Sequence, residues 1–251
     1  IMFEGPDETL RLTANAQPAL MAVSLAVVRV LESRGVRVAD KAAYVAGHSL
    51  GEYSALCAAV VFSLADTARL LRIRGEAMQE AVPVGQGAMA AILGLDLETV
   101  LRAVNDAEDG EVCGVANDNA PGQVVISGHV GAVNRAIELL KAAGAKRALP
   151  LPVSAPFHCA LMRPAADAME HALGQVEFKA PAVPVVVNVT ARPTSDPAAT
   201  VRVQGISERL DSILLAIFMG CSSVDIIGKM LGSVSTLGSA VGAGAASCSL
   251  L

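Results

Sequence analysis

The stretch Tyr44 to Ala55, YVAGHSLGEYSA, limits the architecture of this chain more than any other. It sets Ser49 between two glycines, Gly47 and Gly51, with a short apolar run before and a helix-like run after. Gly-x-Ser-x-Gly in that setting reads as a sharp turn from strand into helix, because glycine avoids side-chain clashes where backbone crosses backbone and tolerates strained dihedrals. A strand feeding directly into a helix is the repeating step of an α/β fold. Two readings of the serine are open. In one, its hydroxyl caps the new helix. In the other, the turn lifts it clear of the sheet as a nucleophile, and the N–H of Leu50, at the positive end of the helix, serves as an oxyanion donor.

The 251 residues suffice for one large domain carrying a smaller insert. Residues 13–35 read as a helix, with Pro18 in the first turn and Gly35 at the C-terminal cap; the segment is apolar on most sides, which predicts a central position. Residues 42–47 are of strand length, 52–61 are helical, and Ser63 with Asp66 forms a capping pair for a helix over 64–82. From Gly87 to Val153 the pattern is strand, helix, two strands joined by DNAPG, helix, strand. That β-α-β-β-α-β order predicts a ferredoxin-like small domain over residues 85–153, inserted into a large domain built from residues 1–84 and 154–251. A helix over 154–173 and a strand from Val185 to Val189 resume the large domain.

A net charge of −5 and the lack of any basic cluster interleaved with aromatics argue against nucleic acid as a partner. The five cysteines (Cys57, Cys113, Cys159, Cys221 and Cys248) are odd in number, widely spaced and contain no Cys-x-x-Cys pair. They predict reduced, buried thiols in a cytoplasmic protein rather than a zinc site or a disulfide scaffold. No secretory signal opens the chain, and the apolar run after Ser212 is too short and too rich in Ser and Gly to span a membrane.

A nucleophilic serine needs a base. His48 adjoins Ser49, but neighbours on a sharp turn point apart. His129 reads as a cap or surface residue and His171 as a solvated one. His158 follows VSAPF, where a strand ends and Pro156 fixes the backbone, and strand ends are where sheet proteins place site residues. Arg74 stands on the apolar side of its helix, with Leu70, Leu71, Ala77 and Met78 as its three- and four-residue neighbours, while Arg69 and Arg72 fall on the opposite face. A guanidinium there needs a carboxylate, from the protein as an internal salt bridge or from a ligand.

Four segments in order, GHSLGEYSAL, RLLRIRGEAMQEA, ANDNAPGQVVISG and LPVSAPFHCALMRPAADAM, together with ANAQPALMAVSLA, resemble the malonyl-CoA:acyl carrier protein transacylases and the acyltransferase domains of polyketide synthases. The similarity runs from Ile1 to Thr190. It implies an α/β fold in which a large α/β-hydrolase-like domain with a parallel sheet core holds the ferredoxin-like insert. It implies Ser49 as the acylated nucleophile, His158 as its base, Leu50 N–H as oxyanion donor and Arg74 as partner of the malonyl carboxylate. Gln17 would lie near the pocket, Phe157 would narrow it toward malonyl, and Asn117, with Asn119 and Gln123, would sit beside the cleft. The implied reaction carries malonyl from malonyl-CoA to the phosphopantetheine thiol of acyl carrier protein, in a cytoplasmic monomer, with no metal or organic cofactor and no membrane. Alternatives are an acyltransferase of polyketide synthesis or of another acyl-CoA, a serine hydrolase, and a catalytically silent carrier-protein-binding module.

Two segments depart from the family. Its leading strand and Gly-Gln-Gly-Ser-Gln loop, which supplies the second oxyanion donor, match nothing here, and the expectation is that the sequence is incomplete. The tail from Ser212 carries only Asp225 and Lys229 as charges and ends in low-complexity GSAVGAGAASCSLL; DIIGKMLGSV matches the family's glycine–lysine motif only in part.

Overall fold

The structure is a computed structural model, and it describes residues 1–153 and 155–197. Cys221, Cys248 and the tail discussed above lie outside the described residues. Three helices open the chain: α1 (Asp7–Arg11), α2 (Thr13–Ser33) and α3 (Val38–Lys41). Strand β1 (Val45–Ala46) runs into α4 (Leu50–Ala58), and α5 (Leu64–Glu80) follows. Then come β2 (Gly87–Leu93), α6 (Leu97–Asp106), β3 (Cys113–Ala120), β4 (Gln123–His129), α7 (Val130–Ala142) and β5 (Arg147–Pro150). A 3₁₀ turn at Ala160–Met162 leads into α8 (Arg163–Leu173), and β6 (Val185–Val187) and β7 (Arg192–Thr194) close the described part.

Two sheets result. In the first, with order β1-β6-β7, the β1–β6 pair is parallel and β7 turns back antiparallel. Among the described residues the expected parallel core is the β1–β6 pair, and β7 makes the sheet mixed: Ala191, at φ +48, reverses the chain tightly enough for β7 to pair with its own predecessor. The second sheet is antiparallel throughout, with order β3-β4-β2-β5. Its side chains alternate by the period of two that a pleated strand imposes. Ala90, Ile92, Val115, Val124 and Ile126 point into a cluster with Val100, Val104, Ile137 and Leu140 of α6 and α7. Met89, Ala116 and Val125 face the other way and meet Leu151 and Phe157.

A separate apolar cluster joins α2, α4, α5, α8 and β6 through Met21, Leu25, Tyr53, Leu56, Leu70, Leu71, Met169, Leu173 and Val185. Helix α5 starts where the capping pair predicts: Ser63 Oγ accepts from the Asp66 N–H at 3.0 Å. It packs so closely on α2 that a Cβ on Gly75 would come within 2.7 Å of Ala14 Cα and the Thr13 carbonyl oxygen.

Several expectations need correction. Helix α2 is not sheathed in protein among the described residues. Thr13, Gln17, Met21 and Leu25 form its one buried stripe, while Leu20, Val23, Val27, Val30 and Leu31 face outward. By length and composition alone it could cross a membrane. The helix foreseen from residue 154 begins only at Arg163, because Pro156 and a positive φ of 57° at His158 are incompatible with an α-helix. The residues before 13, to which the sequence reading gave no element, include α1. The strands before the serine and after Pro184 are shorter than their apolar runs, and β7 had no apolar run to announce it.

Candidate active site

Ser49 occupies the junction of β1 and α4 with φ 54° and ψ −114°, a region costing a non-glycine residue about 1–3 kcal/mol. Gly47 makes that turn possible: any Cβ there would overlap the carbonyl of Gly51 and crowd the amide of Glu52. Gly51, by contrast, has open space around it. The hydroxyl of Ser49 makes no cap bond to α4, so the capping reading fails. It meets two other groups instead. His158 Nε2 lies 3.1 Å from Ser49 Oγ, and Arg74 Nη2 donates to the same oxygen at 3.1 Å. Arg74 fills one lone pair of the oxygen, and in the tautomer that leaves Nε2 unprotonated the hydroxyl proton points at Nε2, within reach of a base.

The backbone bonds of the turn are made by other amides: Ser49 N–H donates to Asn188 Oδ1 at 2.7 Å, Gly51 N–H to the His48 carbonyl and Glu52 N–H to the Ser49 carbonyl. The Leu50 N–H, at the start of α4, takes part in none of these.

His158 is half-buried and, like Ser49, has a positive φ. Desolvation first, then the charge of Arg74 and the nearness of His48, bring its pKa down to about 3. The imidazole is thus neutral, and able to accept a proton, throughout the physiological range. His48 has no side-chain bond to Ser49; partial desolvation of its ring and the charge of Arg74 hold its pKa below the ordinary imidazole value. Of the other two histidines, His129 Nδ1 accepts from the Val112 N–H at 2.9 Å and His171 is exposed.

Arg74 is buried in the middle of α5. Burial lowers its pKa, with Tyr53 and Glu52 acting in the opposite sense, but a guanidinium stays charged. Its Nη1 donates to Gln17 Oε1 at 2.6 Å, and its charge sits 5.7 Å over the ring of Tyr53. Gln17 is fixed in turn, donating to Thr13 Oγ1 at 2.9 Å and approaching Met78 Sδ at 3.4 Å. No ion pair involves Arg74 among the described residues, whereas Arg69 and Arg72 on the solvent face pair with Asp66 and Glu76. The same helix therefore neutralises its outer cations and presents its inner one to the serine.

The structure brings Ser49, Leu50, His158, Arg74 and Gln17 together. Phe157, next in chain to His158, packs against Met78, Met162 and Ala165 on one side and against Met89, Ala116 and Val125 of the second sheet on the other. Asn117 lies at a bulge of β3, opposite Val125, without a bond to the serine, histidine or arginine. Cys57, Cys113 and Cys159 are free and buried. Sequence reasoning missed Asn188, Tyr53 and Thr13. The signal for Asn188 was a lone amide at the end of an apolar strand run; Tyr53 and Thr13 stand a turn of helix from Ser49 and Gln17.

The geometry joins a serine hydroxyl, a neutral imidazole and a buried guanidinium at one oxygen, beside the first amide of a helix. The chain resembles proteins with acyl-transfer activity. It is 54% identical over 189 residues to the malonyl CoA-acyl carrier protein transacylase of Escherichia coli K12, covering 75% of this chain and 60% of that protein. Against the enzyme of the same name from Bacillus subtilis 168 it is 51% identical over 193 residues, 76% of this chain and 59% of that one. The chain spans about 60% of the length of the curated relatives it matches. Among solved structures, the acyl-carrier-protein S-malonyltransferase of Bartonella henselae superposes with a TM-score of 0.79 at 51% identity, over 94% of this chain and 71% of that one. A malonyl-transacylase in complex with a type II polyketide acyl carrier protein gives 0.78 at 45% identity, over 85% of this chain and 66% of that one. The family model described as an acyl transferase domain matches residues 1–209, and the chain belongs to that family.

Proposed function

We propose that this chain transfers malonyl from malonyl-CoA to the phosphopantetheine thiol of acyl carrier protein, supplying fatty acid chain elongation. Ser49 Oγ attacks the thioester carbonyl while His158 Nε2 takes its proton, and the Leu50 N–H stabilises the oxyanion. The C–S bond breaks and coenzyme A leaves with the proton from His158. The carrier thiol then gives its proton to His158 and attacks the malonyl-serine ester, and Ser49 is released, protonated by the imidazolium. Serine, imidazole and amide suffice for these steps, so neither metal nor organic cofactor is required.

One observation carries the malonyl assignment: the buried Arg74 guanidinium stands 3.1 Å from the nucleophilic oxygen with neutral hydrogen-bond partners. A hydrolase of simple esters has no use for it. A substrate with a second carboxylate satisfies it, and one without leaves it stranded, at a cost on the order of a few kcal/mol. Phe157 narrows the acyl pocket and Asn117 borders the cleft. The β3-β4-β2-β5 order, with its own apolar cluster, supports a ferredoxin-like domain over 85–153 set in an α/β-hydrolase-like domain of residues 1–84 and 154–251. The setting is a cytoplasmic monomer that contacts neither nucleic acid nor membrane. The relatives named for carrier protein support that partner.

Radiolabelled malonyl-CoA is expected to label Ser49, and acetyl-CoA to label it far less. Arg74→Ala should abolish that preference, lowering malonyl transfer by about 10- to 100-fold while sparing acetyl. Rapid acetyl labelling with none from malonyl would overturn the assignment, and carrier-protein binding without any acylation would identify a silent binding module.

A further inference from the structure

Ser49 depends on a side chain that no catalytic scheme above uses. Asn188 Oδ1 accepts from the Ser49 N–H at 2.7 Å, and Asn188 Nδ2 donates to the Gly47 carbonyl at 2.6 Å. One amide thus holds the backbone on both sides of His48. The pairing of β1 with β6 explains why these two groups are available. Val45 stands opposite Val185 and Ala46 opposite Val186, so two further steps in the same register set His48 opposite Asn188. In a parallel ladder, a residue donates its N–H to the carbonyl of the residue before its opposite number and accepts from the N–H of the residue after it. The bond from Val45 N–H to the Pro184 carbonyl, 3.0 Å, follows this rule. Asn188 makes both bonds expected of that rung, to Gly47 and to Ser49, but through its side chain. β1 has left the sheet at the turn, and the amide spans the gap.

We propose that Asn188 is the positioning residue of the nucleophile: a side-chain rung that extends the β1–β6 ladder to Ser49 and holds its strained backbone with Oγ against His158. The proposal rests on the reading of Ser49 as the nucleophile. Two features of the chemistry make the residue specific. A primary amide offers an acceptor to an N–H and a donor to a C=O from one planar group, at any pH. Aspartate has the same shape but would set a second oxygen against the Gly47 carbonyl. In addition, with its own N–H committed to Asn188, Ser49 cannot contribute that amide to an oxyanion, which leaves the task to Leu50.

The test measures the second-order rate of Ser49 modification by phenylmethylsulfonyl fluoride, which needs neither coenzyme A nor carrier protein, in the full chain and in Asn188→Ala and Asn188→Asp. Rates are expressed per folded molecule, with folding followed by near-ultraviolet circular dichroism. Both variants are expected to react about 10- to 100-fold more slowly, the loss typical of a misplaced reacting group. Malonyl-CoA turnover should fall in kcat with KM within about twofold, since Arg74 and its supports are untouched. Asn188→Asp, which keeps volume and shape, carries the test if Asn188→Ala does not fold. Unchanged sulfonyl fluoride rates per folded molecule, with only the melting temperature lowered, overturn the proposal and leave Asn188 a structural tie. Slowed modification in variants of a protein that accepts no malonyl would support Asn188 while removing the malonyl reading.

Discussion

At the scale of single residues, the site is defined by what has been removed from water. Buried Arg74 links Gln17, itself tied to Thr13, to Ser49 in one chain of contacts. His158 is held neutral by its surroundings, with a pKa of about 3. The acylation rate of Ser49 should therefore stay level between pH 7.5 and 5, where a solvated imidazole of pKa near 6.5 would already lose more than half its base. A stopped-flow pH profile with an inflection near 6.5 would contradict this. The same shift has a cost in stability. The unfolded chain binds a proton at His158 below pH 6.5 and the folded chain does not, so stability conferred at neutral pH declines as pH falls from 6.5 toward 3. Thermal melts of His158→Gln should show a shallower decline over that window. Ser49 and Arg74 stood out in the sequence because each type is rare in its setting, a serine between glycines and a cation on an apolar helix face; His158 was singled out by a strand end, Leu50 by following the serine, and Gln17 by the family resemblance alone.

At the scale of elements, the turn from β1 to α4 is decided by two glycines with different duties. Gly47→Ala should destabilise the fold by about 1–3 kcal/mol, because its methyl has only backbone to displace. Gly51→Ala meets nothing within 4 Å and lies in the first turn of α4, so it should be neutral or stabilise by up to about 1 kcal/mol. Urea denaturation of both variants separates the two, and equal losses would show that the turn tolerates a side chain. The helices α2, α5, α6 and α7 were legible from their residue patterns, α5 with its Ser63 cap, whereas Pro18, expected in the first turn of α2, stands inside that helix. Strand lengths were not: a run such as VPVVVNV states its hydrophobicity but not where its partner ends, and β6 stops at Val187 because Asn188 takes over its pairing. The displaced start of α8 comes from the backbone of His158, a conformation that no propensity encodes.

At the scale of the whole molecule, two apolar clusters are stitched together at the residues beside the base. Phe157 touches both the second sheet and the α5–α8 cluster, and a Cβ on Gly87, where β2 begins, would overlap Pro156. The β-α-β-β-α-β order was legible because every element of it is local. The outward apolar face of α2 was not, since a sequence reports that residues are apolar and not what covers them. Least legible of all was Asn188, whose significance arises only from a strand pairing that brings it to Ser49, 139 residues before it in the chain. That separation bears on biosynthesis. Ser49 leaves the ribosome with neither its base nor its rung, and at ordinary elongation rates both arrive on the order of 10 s later. Until then the serine is an ordinary alcohol, passing unreactive through a pool of thioesters. Ribosome-stalled chains ending before residue 188 should accordingly ignore a fluorophosphonate probe that labels the released protein, and labelling of the shorter chains would refute such a delay. On the proposed reading of Ser49, the nucleophile is translated early and armed late.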